Sequence, residues 1–381
     1  MPVYKGHAET LNAIESVLLS SNRTPYEFIV INDCSPDEAL TRDLAAMASQ
    51  GHISLLTNAK NLGFVKTVNA ALSLHTDRDA VLLNSDTLVF GNWLDRLIAH
   101  ASSTVATVTP FSNNASLCSY PRIFEANRLP EGLSPRSADM LAARVNRGQS
   151  VEIPTGVGFC MYVSRRALDQ VGMFDAKLFG KGYGEENDFC LRALDAGFRN
   201  LHALDVFVFH KGAVSFGKGS LRRQNGNAAK LAARHPVFRK RVAQFAISDP
   251  ARPARMLLDI AVLLRRKRRQ AVLCFGSPGG QRRKIRESVF HALPEPGGRA
   301  LRLEAPGDGW EAPNLRGIDF IGRGSKLELI LRSGKFARIE VHDFGGFAEE
   351  VRQELRRIAR ALRIGLTFAG IAGVKQRAGK R

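Results

Sequence analysis

The sequence predicts an α/β fold with a mainly parallel sheet, on three observations. Short apolar runs recur without polar alternation, as in strands covered on both faces. Helix-length stretches separate those runs, which is the spacing of βαβ units. Several runs also turn polar abruptly at their C-terminal ends, where ligands bind in open α/β sheets.

In chain order, "PVY" (2–4) reads as the end of a first strand that is either truncated or rebuilt in another way. "FIVIND" (28–33) reads as a strand, "DEALTRDLAAMAS" (37–49) as a helix and "ISLLTN" (53–58) as the next strand. "FVKTVNAALSLH" (64–75) reads as a helix, followed by the strand "AVLL" (80–83). "VATVTPFSNNAS" adds a strand that ends in a polar loop, and residues 121–150, rich in Pro, Arg and Ser, read as an irregular excursion. Order resumes with a strand and a helix in "TGVGFCMYVSRRALDQVG" (155–172). "GEENDFCLRALDAGF" (184–198) reads as a helix opening on acids and closing on Gly197, as the helix dipole favours. "DVFVFHKG" (205–212) is a strand ending in His210, and residues 211 to about 270 are basic and largely helical. A second α/β pattern runs from "AVLCFGSPGG" (271–280) through "ALRLEA", "GIDFIG", "ARIEVHDF", a helix near 347–363 and "IGLTFAG".

Charge divides the chain as sharply as the element pattern does. Residues 1–210 carry 18 Lys+Arg against 22 Asp+Glu, whereas residues 211–381 carry 37 against 14, within a total net charge of +19. Five cysteines (Cys34, Cys118, Cys160, Cys190, Cys274) stand in no CxxC pair, which argues against a disulfide framework or zinc ribbon and fits a reducing cytoplasm. Residues 1–20 show no signal-peptide pattern, and the run "MLLDIAVLL" (256–264) is too short to span a bilayer and contains Asp259.

Acids gather where parallel strand tips share one sheet edge: Asp33 and Asp86 end strands, Glu185, Glu186 and Asp188 open a helix, and His210 ends a later strand. Asp86 with His210 offers a divalent ion one carboxylate and one imidazole, a set suited to Mn²⁺ or Mg²⁺ beside phosphate oxygens. Each also has a plainer reading, as a helix cap, a turn residue or a dipole complement. Neighbouring carboxylates raise one another's pKa, which suits a general base in "GKGYGEENDFC" (180–190). "NAKNLGFVKTVNAAL" (58–72) places Asn61 and Gly63 at a helix start, and no GxxxxGK[ST], HExxH or GxSxG occurs.

In sequence, "PVY", "INDCSPD", "KNLGF", "LLNSDT", "GVGFCMYVSRRALDQVGMFD", "GYGEENDFCLRALDAGFRN" and "FVFHKGAVSF" together resemble the family 2 inverting glycosyltransferases of the GT-A fold. The likeness covers roughly residues 1–217 and is closest to bacterial enzymes that build surface polysaccharides. It implies a nucleotide-diphospho-sugar transferase: Asp33 contacts the base or ribose, with Pro2, Val3 and Tyr4 beside it and Asn61 also on the donor. "NSD" stands where the family has DxD, so Asn84 and Ser85 face the donor and Asp86 binds Mn²⁺ or Mg²⁺ on its diphosphate. Gly156 to Phe159 line the sugar and acceptor site, and His210 matches a late metal-binding histidine. Glu185 and Glu186 occupy the place of a Glu-Asp pair, making Glu186 the base, with Asp188 as the second candidate.

The implied partners are a nucleoside-diphosphate-sugar donor and a glycan or lipid-linked acceptor. "VLCFGSPGGQRRKIRESV" and "ARIEVHDFGGFAEEVRQELRRIARALRIGLTF" resemble half of a GT-B, Rossmann-like domain, to which no catalysis is assigned. The expected division is therefore 1–217 GT-A domain, 218–270 basic helical extension or linker, and 271–381 partial Rossmann-like segment. The basic half fits a solvated or inter-domain surface first and an anionic membrane face second, which places the chain in the cytoplasm or at the inner membrane face. Nucleic acid is the poorest fit, since no aromatics interleave "RRKRR". A degenerate nucleotide-sugar-binding or scaffold protein of the same fold is the alternative to an enzyme.

Overall fold

The structure, a computed structural model, describes residues 1–212, 220–265, 271–276, 288–304, 312–332 and 336–368. The chain divides into two units, Met1–Ala251 and Arg252–Arg381. The basic run 266–270, the glycine turn 277–280 and residues 213–219 lie outside the described residues.

In the first unit, Pro2–Val3 (β1), Ile29–Asn32 (β2) and Ser54–Thr57 (β3) form a parallel sheet in that order. His7–Leu18 (α1) and Glu38–Ser49 (α2) connect them, and Asp37 caps α2 by accepting from the Leu40 N–H at 3.0 Å. Val3, Ile14, Val30, Leu40, Leu44 and Ile53 form their shared core. Phe64–Leu72 (α3) leads to Ala80–Leu83 (β4), Thr87–Leu88 (β5), Trp93–Ile98 (α4) and Val105–Phe111 (β6).

The predicted excursion at 121–150 contains a helix, Pro135–Val145 (α5). Ser134 caps it by accepting from the Ser137 N–H, and Pro135 opens it, where the missing N–H costs nothing. Ser150–Glu152 (β7), Cys160–Val163 (β8), Arg165–Val171 (α6), Ala176–Phe179 (α7), Glu185–Asp195 (α8), Arg199–Phe207 (β9) and Phe209–His210 (β10) follow. A second sheet has the order β4-β8-β6-β9-β7. Its β6–β9 pair is parallel, while β8 runs antiparallel to both β4 and β6 and β7 runs antiparallel to β9.

Both faces of this second sheet are covered, which is why its strands read as unbroken apolar runs. Leu82, Ala106, Met161 and Val163 pack with α3, α6 and α8, whereas Leu83, Val105, Cys160 and Tyr162 pack with α4. Each large side chain so buried contributes about 1.5–3 kcal/mol. A cavity of about 860 Å³ lies among Phe28, Ile29 of β2, Val68 and Leu72 of α3, and Val81 and Leu82 of β4. Of the predicted site residues only Pro2 lines it, so it is not the predicted centre.

Ser220–Arg234 (α9) and Phe238–Ser248 (α10) complete the first unit. The second begins with Arg252–Leu264 (α11), so the segment expected as a linker is shared between the two units. Ala271–Phe275 (β11), Ser288–Pro294 (β12), Ala300–Glu304 (β13), Ile318–Asp319 (β14), Lys326–Arg332 (α12), Phe336–Val341 (β15), Val351–Leu362 (α13) and Gly365–Phe368 (β16) follow. Their sheet has the order β14-β13-β12-β11-β15-β16, and β12 was not foreseen as a separate strand.

Candidate active site

The turn after β4 brings the first two site residues together. Asn84 donates its N–H to the Phe159 carbonyl at 2.8 Å, and its own carbonyl accepts from Thr87 Oγ1 at 2.7 Å. The chain then enters β5, which pairs antiparallel with β10 so that Thr87 faces His210. Asp86 and His210 consequently meet, with Asp86 Oδ1 3.4 Å from His210 Nε2. The Gly212 N–H donates to Asp86 Oδ2 at 3.1 Å.

His210 is held from several sides. Asn113 accepts from its N–H and donates to its carbonyl, both at 2.9 Å, and Phe159 stacks on the ring at 5.3 Å. Its Nδ1 lies 2.7 Å from the Asn114 carbonyl, which can only accept, so Nδ1 carries the proton. Nε2 is thereby left to face the carboxylate. Burial alone would lower the pKa of His210, but the adjacent Asp86 carboxylate outweighs it and raises the value. This pair of oxygen and nitrogen lone pairs fits a divalent cation, and Asp86 and His210 are the residues that would hold one.

The second cluster opens α8. Gly184 sits at φ +104°, and a Cβ there would lie 3.0 Å from the Phe179 ring, so both the backbone and the space require glycine. Glu185 is buried at 3% exposure, with Oε2 lacking a hydrogen bond. Burial and the neighbouring Glu186 hold its carboxyl well above the usual range. Glu186 is half-buried, and burial raises its pKa too. A Cβ on Gly158 would lie 4.0 Å from Glu186 Cγ, so consecutive residues of one segment touch both clusters: Gly158 borders the acid and Phe159 stacks on His210.

Asp188 has a different position from the one expected of a base. It is fully buried, accepts from Arg192 Nε at 2.8 Å and His235 Nε2 at 2.9 Å, and forms an ion pair with Arg234 Nε at 3.3 Å. With no exposure and with cationic neighbours on both carboxylate oxygens, Asp188, the second candidate for the base, ties α8 to the end of α9.

The other predicted residues take the following places. Asp33 is buried, and its carboxylate accepts from Asn58 Nδ2 at 2.7 Å and from the Leu62 and Gly63 N–H groups at 2.8 and 2.9 Å. It organises the loop before α3, with one of about four lone-pair positions left for anything else. Gly156 is enclosed, because a Cβ there would lie 2.7 Å from Met161 Sδ and 2.8 Å from Thr109 Oγ1. Gly158 is the glycine beside the acid. Val3 belongs to the core and binds Asp33 through its carbonyl, while Asn61 accepts from Lys181 Nζ at 3.4 Å and Ser85 is buried.

Comparison with known proteins bears on the same stretch. Residues 1–172 match the family model "Glycosyl transferase family 2". The matched segment carries Asp33, Asp86 and Phe159, and the first unit has a GT-A-like α/β fold. No curated protein matches the chain. Among solved structures, GalNAc-T7 with UDP, GalNAc and Mn²⁺ aligns at TM-score 0.45 and 14% identity, over 63% of this chain and 50% of that one. The mannosyltransferase PcManGT from Pyrobaculum calidifontis, with GDP-Man and Mn²⁺, aligns at 0.42 and 17%, over 69% and 72%. S. aureus TarS 1–349 aligns at 0.40 and 12%, over 69% and 78%. The chain spans half the length of the first of these structures.

Proposed function

We propose that the first unit is an inverting glycosyltransferase that moves a sugar from a nucleoside-diphosphate-sugar donor to a hydroxyl of a glycan or lipid-linked acceptor in polysaccharide synthesis. The observation that carries this reading is the Gly158–Phe159 junction, where a metal-suited carboxylate–imidazole pair and a half-buried glutamate border one short segment. The glycosyltransferase family match to residues 1–172 supports it.

In this reading Glu186 takes the proton of the acceptor hydroxyl. The hydroxyl oxygen forms its bond to the anomeric carbon as the bond to the diphosphate breaks on the opposite face, which inverts the centre. Burial and the neighbouring Glu186 hold the Glu185 carboxyl well above its usual range, which disfavours two negative charges on the pair. Asp86 and His210 would hold Mn²⁺ or Mg²⁺, which offsets charge on a departing diphosphate when bound.

Nucleotide release from UDP-, dTDP- and GDP-sugars, with Mn²⁺ and with EDTA, tests the proposal in the wild type and Asp86→Ala with acceptor present. Release from one donor that needs both metal and Asp86 is expected. Metal-dependent diphosphate binding without turnover on any donor would instead identify a nucleotide-sugar-binding or scaffold protein.

A further inference from the structure

The second unit contains a convergence of side chains that the transfer reaction does not use. In its sheet, β11 is flanked by β12 on one side and β15 on the other, both parallel to it. The chain moves outward from β11 through β12 to β14, then returns to the opposite side of β11 for β15 and β16. The carboxyl ends of β11 and β15 therefore lie at a topological switch point, where open α/β sheets form crevices.

Cys274 is the penultimate residue of β11 and pairs in register with Glu340, the penultimate residue of β15. In-register neighbours in a sheet point to the same face, and His342, two residues beyond Glu340, returns to that face. One potential ligand atom from each of the three lies within 4.8 Å of the others. Cys274 Sγ is 3.9 Å from Glu340 Oε2, and His342 Nε2 is 3.4 Å from the same oxygen. The other face of β11 and β15 belongs to the apolar core through Leu273, Phe275, Ile339 and Val341, so the alternation has set these polar residues apart.

We propose that Cys274, Glu340 and His342 form a zinc-type site, separate from the Asp86–His210 pair. Cys274 and Glu340 are 3% and 6% exposed, and His342 Nε2 is buried without a hydrogen bond. Coordination would give that buried imidazole nitrogen the partner it lacks. Arg338 Nε donates to Glu340 Oε1 at 2.8 Å, orienting the carboxylate so that Oε2 faces the thiol and imidazole. The observed S···O and N···O separations are those of neighbouring corners in a slightly expanded tetrahedron around an ion with metal–ligand bonds of about 2.0–2.3 Å. One sulfur, one nitrogen and one oxygen favour Zn²⁺ or its analogue Co²⁺ over Mg²⁺ or Ca²⁺, which prefer oxygen. Three protein ligands leave a fourth position open, the pattern of zinc sites that bind water or a small ligand.

Cobalt spectroscopy on the full-length chain tests this directly, because the Asp86–His210 pair has no thiolate. One equivalent of Co²⁺ is expected to produce a thiolate-to-cobalt charge-transfer band and the intense visible bands of tetrahedral cobalt, both bleached by Zn²⁺. Cys274→Ser should abolish the charge-transfer band, His342→Ala should weaken Co²⁺ binding more than tenfold, and Asp86→Ala should leave the spectrum unchanged. In the wild type, Zn²⁺ should also protect Cys274 from alkylation, read by peptide mass spectrometry, while exposed Cys34 still reacts. That readout needs no variant to fold. Absence of the charge-transfer band, its persistence in Cys274→Ser, or alkylation of Cys274 at the same rate with and without Zn²⁺ would each overturn the site.

Discussion

Two of the buried carboxylate–imidazole pairs in the first unit differ in how completely they are neutralised. Asp188 meets His235 at 2.9 Å and also forms ion pairs with Arg192 and Arg234, with no exposure to solvent. Asp86 meets His210 at 3.4 Å and takes one backbone N–H, and the adjacent Lys211 pairs instead with Glu9. Among the described residues no arginine or lysine pairs with Asp86. The difference teaches that a carboxylate saturated by fixed cations serves the fold, whereas one left short of positive charge can serve a mobile cation. Residue type alone does not separate the two; the count of cationic neighbours does.

The sharpest way to press that comparison is to alter the acid expected to react. Glu186→Gln should lower transfer by about 10²–10⁴-fold while donor affinity is retained, because the general base touches the acceptor. Equal transfer rates in the variant and the wild type would remove Glu186 from that role. Asp188→Ala should act on the opposite property, costing about 3–5 kcal/mol of stability by removing the buried acceptor shared by Arg192, His235 and Arg234. Chemical denaturation measures it, and a loss of donor affinity with unchanged stability would contradict the tie between α8 and α9. Asp33→Ala lies between the two, since three donors lose their acceptor; about 1–3 kcal/mol is expected, read as a lower denaturation midpoint.

The smallest effect concerns Glu185, and it depends on pH. Its carboxyl in the folded protein titrates well above the usual value of 4.5. As pH rises past that value the unfolded chain ionises while the folded one stays protonated, so this group favours unfolding progressively until its folded pKa is passed. Glu185→Gln should therefore leave stability unchanged below about pH 4 and raise it near neutrality. A stability–pH curve parallel to that of the wild type would refute the assignment.

Much of this arrangement was legible in the residues. The apolar runs at 28–33, 53–58 and 80–83 are strands, the middle one at an exposed sheet edge, and the acids of 184–188 open a helix. What escaped were features decided by distant partners. Asp188 looks as reactive as Glu186 in a string of letters, and only the return of α9 with Arg234 and His235 shows that it is neutralised. Gly156 and Gly158 are interchangeable in "GVGFC" until Met161 and Thr109 close over the first. The helix at 135–145 was signalled by Ser134 and Pro135, a cap-and-first-turn pattern obscured by the arginines and serines around it. The order reversal that places Cys274 beside Glu340 is a property of sheet topology, which local patterning does not encode.

The two-residue ribbon of β5 and β10 has a consequence for how the protein comes into being. It joins Thr87 to His210 across about 120 residues of chain, a contact that must wait for loop closure. During synthesis a nascent chain that has released Asp86 but not His210 can present only half of the pair. Cation affinity should thus arrive late and abruptly, after the intervening helices and strands have docked, so the centre would report on completed folding of its own unit.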